Sequence, residues 1–230
     1  MIGALALAVM LAAAPVTCTV DGATIDWGFK ESFRSYISGT IANGQWTVAD
    51  GATYTTPDFD FSGGTGTLEA GTGIIAFPGS IEFTGHGGIL DTIVANPQLR
   101  FDGSDSGMLL LDVSGMTQEG LPIDEKAIEF AVVDLRSATT TNGTYDLAAA
   151  PVTLTSAGAK AFGTYDAGTA LDPIAVSFSA SQACLAHPDA APVLLVIGVV
   201  FALVVLGAVL TAVLVVVLLA RRARRDSLAK

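Results

Sequence analysis

The sequence predicts a mainly β protein: an antiparallel sandwich or barrel-like domain with a short N-terminal helix, plus one C-terminal transmembrane helix. Three observations lead there. Short alternating runs separated by glycine-containing turns fill most of the chain after Gln45. Trp27 to Ser38 has the period of a helix instead. Val193 to Ala220 is a run of 28 residues without a charge.

The chain begins with an apolar stretch, Ile2 to Ala14, that ends in Ala12-Ala13-Ala14. This is the pattern of a signal peptide, although no basic residue precedes it, and cleavage is expected between Ala14 and Cys18. Cys18 is not expected to carry a lipid, because Thr17 stands where a small Gly or Ala is needed.

In the stretch from Trp27 to Ser38, Phe29, Phe33 and Ile37 recur every four residues and make one apolar stripe. Asp26 is the expected N-cap and Gly39 the expected stop. Ser32 and Tyr36 share a second face beside that stripe. Strands are predicted at Gln45 to Val48, Ser80 to Thr84, Gln98 to Phe101, Met108 to Val113, Ala127 to Leu135 and Ile174 to Phe178. Turns are expected at Asn43-Gly44, Asp50-Gly51, Gly63-Gly64, Gly87-Gly88, Asp102-Gly103 and Asn142-Gly143. No internal repeat is evident.

A bilayer core needs about 20 helical residues, so Val193 to Ala220 is long enough to cross it with some tilt. Arg221, Arg222, Arg224 and Arg225 follow at once. Basic clusters stay on the cytoplasmic side. The expected layout is a signal peptide over 1–17, an external domain over 18–185, a linker over 186–192, a membrane helix over 193–220 and a cytoplasmic tail over 221–230. The protein is thus expected in the cell membrane, single-pass, with the β-domain extracellular.

Charge divides along the same boundary. The part before the membrane segment holds six Lys and Arg against 21 of the 22 Asp and Glu, a formal net charge of −15. Such a surface repels nucleic acid and anionic lipid. The two cysteines, Cys18 and Cys184, stand at the two ends of the external segment. In an oxidising compartment they are expected to form one disulfide, the alternative being two free thiols.

The sequence holds no G-x-S-x-G, no zinc-ligand spacing and no phosphate-binding loop. It has two histidines. His187 falls in the linker. His86 lies in Phe83-Thr84-Gly85-His86-Gly87-Gly88 at the end of a predicted strand. Three glycines leave its imidazole open to a flat ligand or another backbone. Taken alone, His86 reads as a polar turn residue and Tyr36 as a core aromatic.

Two segments carry a resemblance. Trp27-Gly28-Phe29-Lys30-Glu31-Ser32-Phe33-Arg34-Ser35-Tyr36-Ile37 and Phe83-Thr84-Gly85-His86-Gly87-Gly88-Ile89-Leu90-Asp91 are similar to signature segments of the HtaA-type haem-binding domain. This family occurs on the surface of high-GC Gram-positive bacteria. Tyr165-Asp166-Ala167-Gly168-Thr169-Ala170-Leu171-Asp172-Pro173 resembles a third, and the likeness spans roughly Asp21 to Ser179.

The resemblance implies a cell-surface protein that captures ferric haem b. Its partners would be haem-donor proteins, other surface haem carriers and a haem ABC importer. Tyr36 would be the axial ligand of the iron and His86 would hydrogen-bond its oxygen. Ser32 and Tyr165 would bond a haem propionate. Thr164 departs from the aromatic residue usual at that position of the family. The chemistry is consistent. A free tyrosine titrates near pH ~10, and a ferric ion and a nearby imidazole both favour the phenolate. Basic residues are few, so propionate recognition is expected to rest on hydroxyls and backbone amides, with Arg34 the nearest cation. An enzyme such as a peroxidase is not expected, because His86 falls on the proximal side and no second acid–base group stands opposite. The competing reading is a structural or adhesive module that has lost its ligand.

Overall fold

The computed structural model describes residues 16–117, 120–163 and 165–185, together with single positions 207, 211, 212 and 221. The chain divides into two units, Met1–His187 and Pro188–Lys230. The expected linker and His187 lie outside the described residues. So do the expected membrane segment and tail, apart from those single positions, and the expected signal segment up to residue 15. Among the described residues, no helix is long and apolar enough to cross a membrane.

Among the described residues, twelve strands build the first unit. They are β1 (Thr17–Trp27), β2 (Gln45–Ala49), β3 (Ala52–Thr55), β4 (Asp58–Glu69), β5 (Thr72–Ala76) and β6 (Ser80–Gly85). Then come β7 (Leu90–Asp102), β8 (Ser106–Met116), β9 (Pro122–Asp134), β10 (Thr139–Thr141), β11 (Thr144–Leu154) and β12 (Ala170–Ser179). Three short helices are α1 (Glu31–Ser38), α2 (Ser156–Phe162) and α3 (Gln182–Leu185).

Neighbouring strands follow the order β7-β5-β4-β1-β12-β11-β9-β8, and β8 pairs back onto β7. These pairings are antiparallel, so eight strands close a barrel-like sheet. Where β5 completes the ring, closure leaves no unpaired edge. One residue in two points inward, as Ile81, Phe83 and Gly85 do in β6. The interior is filled by side chains such as Ile25, Trp27, Phe61, Leu99, Leu111, Val133 and Val176. Each such burial stabilises the fold by about 1.5–3 kcal/mol.

The barrel wall is continuous at one end and split at the other. At the closed end, β5 joins β4 (residues 65–69) to β7 (residues 98–102). At the split end, β3 takes over beside β4 (residues 58–61), and β6 takes over beside β7 (residues 90–95) with β2 outside it. The exchange on β4 occurs at Gly63-Gly64. That pair is therefore inside a strand and not the expected turn. A Cβ on Gly64 would stand 2.5 Å from the Phe77 ring and 3.0 Å from Ala23 Cβ, which only glycine avoids.

The helix is shorter than its sequence pattern. Trp27 belongs to β1, in register with Phe59 and Ile174, and α1 starts at Glu31. Asp26 lies in that strand and is not the N-cap. Burial pushes its carboxyl up, with Asp60 and Asp58 adding to the rise. The chain reverses at Phe29, where φ is +63°. Such a backbone costs a bulky residue about 1–3 kcal/mol. Phe29 is fully buried, and its ring lies 4.6–6.0 Å from those of Trp27, Phe33, Phe83, Phe130 and Phe162. That aromatic cluster caps the split end with α1 and α2.

At the closed end, Cys18 and Cys184 form the expected disulfide, across a sequence separation of 166. Tyr145 lies towards the same end, stacked on Phe178 with ring centroids 4.6 Å apart. Its hydroxyl is buried without a hydrogen-bond partner, and burial pushes its pKa up to about 12. An unpartnered buried hydroxyl costs about 1–3 kcal/mol. Tyr145→Phe is therefore expected to raise stability by about 1 kcal/mol in urea unfolding at neutral pH. An unfolded tyrosine ionises near pH ~10, so this group's contribution is intact below that pH and falls as pH rises towards 12. The variant should lose less stability than the parent across that window. Equal alkaline losses would show that Tyr145 does not contribute to it.

Candidate functional site

The split end brings together the residues that the sequence singles out. Phe33 and Ile37 of α1 are buried, and Ser32 and Tyr36 lie beside them on an accessible face. Ser32 and Tyr36 are four residues apart, about one helical turn. Tyr36 is half-buried, and its hydroxyl hydrogen-bonds His86 Nε2. The Ser32 and Tyr165 hydroxyls hydrogen-bond each other at 2.8 Å. One helix face thus presents two polar pairs.

Local backbone geometry aims His86. It follows β6 in a 3₁₀ turn where His86, Gly87 and Gly88 have φ of +51°, +65° and +97°. Consecutive left-handed residues are tolerable only when most are glycine. The His86 N–H donates to Ala42 O at 2.7 Å. The loop holding Ala42 is tied to α1 by the Gly44 N–H, which donates to Ile37 O at 2.8 Å. Gly44 lies so close to β6 that a Cβ there would be 1.9 Å from Thr84 O. The loop after α1 and the end of β6 therefore hold each other, and Tyr36 meets His86.

The other end of α1 is fixed from β12. Asp172 Oδ1 accepts from the Glu31 N–H at 3.0 Å, which caps the helix from 141 residues away. Asp172 Oδ2 pairs with Arg34 Nη1 at 2.6 Å. Arg34 also donates to Gly28 O, and the Trp27 indole donates to Asp172 O at 3.0 Å. Gly28 has no space for a side chain, since a Cβ would stand 2.6 Å from Asp172 Oδ2. Arg34, the nearest cation by sequence, is thus buried and occupied.

The Tyr36–His86 pair has defined chemistry. With Nε2 unprotonated, the phenol donates to it. With Nε2 protonated, the imidazolium donates to a phenolate, a stronger charge-assisted bond. The pair can therefore hold the phenol's proton on the ring while the oxygen binds a metal. A hard anionic oxygen suits a ferric centre. Exposed Ile41 and Ile89 stand in the two loops that meet at His86, an apolar border beside a polar pair. The donor set fits a flat, largely apolar iron ligand with acidic side groups. Among the described residues, no cluster of three or more His, Cys, Asp and Glu could hold a bare metal ion.

A family model described as Htaa (HtaA) matches residues 22–177, more than half of the chain. The chain belongs to the HtaA family. The C-terminal domain of HtaA from Corynebacterium glutamicum is 38% identical, with a TM-score of 0.64 over 70% of this chain and 98% of that domain. The N-terminal domain of the same protein is 32% identical, with a TM-score of 0.60 over 72% of this chain and all of that domain. The haem-binding protein HtaB of that organism shares the fold at 24% identity, with a TM-score of 0.53 over 72% of this chain and 96% of that one. No curated protein matches the chain.

All four site residues predicted from sequence meet at this end of the HtaA domain, as Tyr36 with His86 and Ser32 with Tyr165. Thr164 lies outside the described residues. Asp172 was not singled out by sequence reading, although it stands in the third signature segment. Its cap on α1 is long-range and leaves no local pattern. Asp172→Asn keeps the shape and removes the counter-charge of a guanidinium that is 10% exposed. Breaking a buried pair from one side costs about 3 kcal/mol or more. Asp172 is itself 24% exposed, so the low end of that range is expected in urea unfolding. An unchanged midpoint would mean that α1 is held by packing alone.

Proposed function

We propose that the external domain binds ferric haem b at the split end of the barrel and carries it as a cell-surface protein. Tyr36 supplies the axial oxygen to the iron, and His86 stabilises that oxygen as a phenolate. Ser32 and Tyr165 bond a propionate. The observation that carries the reading is the pairing of Tyr36 with His86 on the same helix face as the Ser32–Tyr165 pair, one turn away. Members of the HtaA family are haem-binding carriers and not enzymes.

When bound, haem supplies a ferric Lewis acid and a wide apolar ring. The protein's own residues do the rest. His86 accepts the phenol proton and returns it when the oxygen is freed, which allows both capture and release. Ile41 and Ile89 offer apolar contact at the edge of the site. Release suits a relay, in which haem passes from donor proteins or other surface carriers towards a haem ABC importer. Membrane attachment through 193–220 would hold the domain on that route, with Arg221 to Arg225 keeping the tail in the cytoplasm.

Hemin titration of the full chain in detergent, followed by visible absorption, tests the site. Tyr36→Phe removes the ligating oxygen and keeps the ring, so it should fold and lose most hemin affinity. His86→Ala should weaken binding by about 10–100-fold, the loss of a charge-assisted hydrogen bond, with an altered spectrum. Tyr165→Phe should cost less, because water can replace a bond near solvent. Unchanged affinity and spectrum in folded Tyr36→Phe would refute the ligand assignment. For orientation, protease added to intact cells should digest residues 21–189 and spare the tail. Protection of the β-domain would reverse the proposed topology.

A further inference from the structure

Hydroxyls alone leave a carboxylate poorly matched at the Ser32–Tyr165 pair. The two hydroxyls carry one proton each, and one of those is spent on the bond between them. A single donor therefore remains for a group with about four acceptor sites. The surrounding domain is strongly acidic, so an approaching carboxylate also needs positive charge.

The cations of the domain are mostly committed. Arg34 pairs with Asp172, Arg100 with Glu129, Lys126 with Asp112 and Arg136 with Asp134. Among the described residues of the domain, Lys30 and Lys160 have no carboxylate within salt-bridge distance. Lys160 is exposed on α2 and lines a groove with Asp124 and Glu125. Lys30 is different. It sits two residues before Ser32 at the N-cap of α1, and its Nζ lies 5.3 Å over the Tyr165 ring. Its Nζ also donates to Ala170 O at 3.0 Å. An ammonium has three N–H donors, so two remain after that bond. The aromatic face and the carbonyl hold the charge beside the Tyr165 ring without neutralising it.

We propose that Lys30 is the charged anchor for a ligand carboxylate at the Ser32–Tyr165 pair, and so determines selectivity for the free-acid form of the haem ligand. This rests on the haem reading above. Its ammonium adds two N–H donors to the single hydroxyl proton available. It also supplies the one counter-charge that Arg34, locked to Asp172, cannot provide.

The experiment compares hemin with hemin dimethyl ester, whose propionates carry no charge, on the full chain in one detergent buffer. The parent protein should bind hemin more tightly than the ester. Lys30→Met keeps the aliphatic stem over Tyr165 and removes the charge. It should reduce the hemin-to-ester affinity ratio by about tenfold while leaving ester affinity nearly unchanged. Lys30→Arg should keep most of the ratio. Arg136→Gln removes a charge at the closed end and should leave the ratio as it is. A merely structural Lys30 would weaken both ligands together and leave the ratio intact, which would overturn the proposal. If the parent binds hemin but shows no preference over the ester, the anchor does not exist. If the parent binds neither ligand, the haem reading fails and this proposal fails with it.

Discussion

The carboxylate of Asp172 is the constraint on which the rest of the site depends. It caps the first amide of α1 and neutralises a guanidinium from the second turn of that helix. A helix of eight residues is too short to be stable alone. Its position must come from tertiary contacts. Asp172 sets where α1 starts, and the loop through Ala42 and Gly44 sets where it ends. Between those two points, Ser32 and Tyr36 have little freedom. A partly buried charge is costly in itself, but each of its partners also fixes a backbone that would otherwise turn freely.

Barrel closure and site construction are coupled through the exchange of strand partners. A barrel closed along its full length would have no room for α1. Because β5 ends early, β3 and β6 replace it at one end, and the wall opens where β6 delivers His86. The glycines in β4 make this possible. They permit the bulge and the close approach of Phe77 that accompany the change of neighbour. Phe29 then fills the opened end from an unfavourable backbone conformation, with burial against several rings offsetting the strain.

Much of this was readable from the sequence where the signal is local. Alternation in β6 and in Gln98 to Phe101 of β7, and the four-residue spacing of Phe33 and Ile37, reflect burial directly. The signature segments around Tyr36, His86 and Tyr165 identify the family. Less local features were not readable. β1 begins at Thr17, inside the expected signal segment, and its mixed residues become a strand only between β4 and β12. β11 contains Ala148-Ala149-Ala150-Pro151, a poor strand sequence held by register with β12. α2 is built from small residues with no apolar period, and its start is marked only by the Thr155 side chain accepting from the Gly158 N–H. Trp27 was read into the helix because its apolar period continues there, whereas strand pairing decides its state. Lys30 stood in plain view beside Ser32, but its significance depends on which other cations are already paired.

The disulfide has a mechanical consequence. The residues before Cys18 and after Cys184 enter and leave at one point, with Cα atoms 6.0 Å apart. A tensile force applied through those two flanks passes from one sulfur to the other. Residues 19–183, the whole barrel among them, carry no load from such a force. A pull arriving along the C-terminal flank therefore reaches β1 through a covalent bond as well as β12 through the backbone, so β12 cannot be peeled from the sheet without β1.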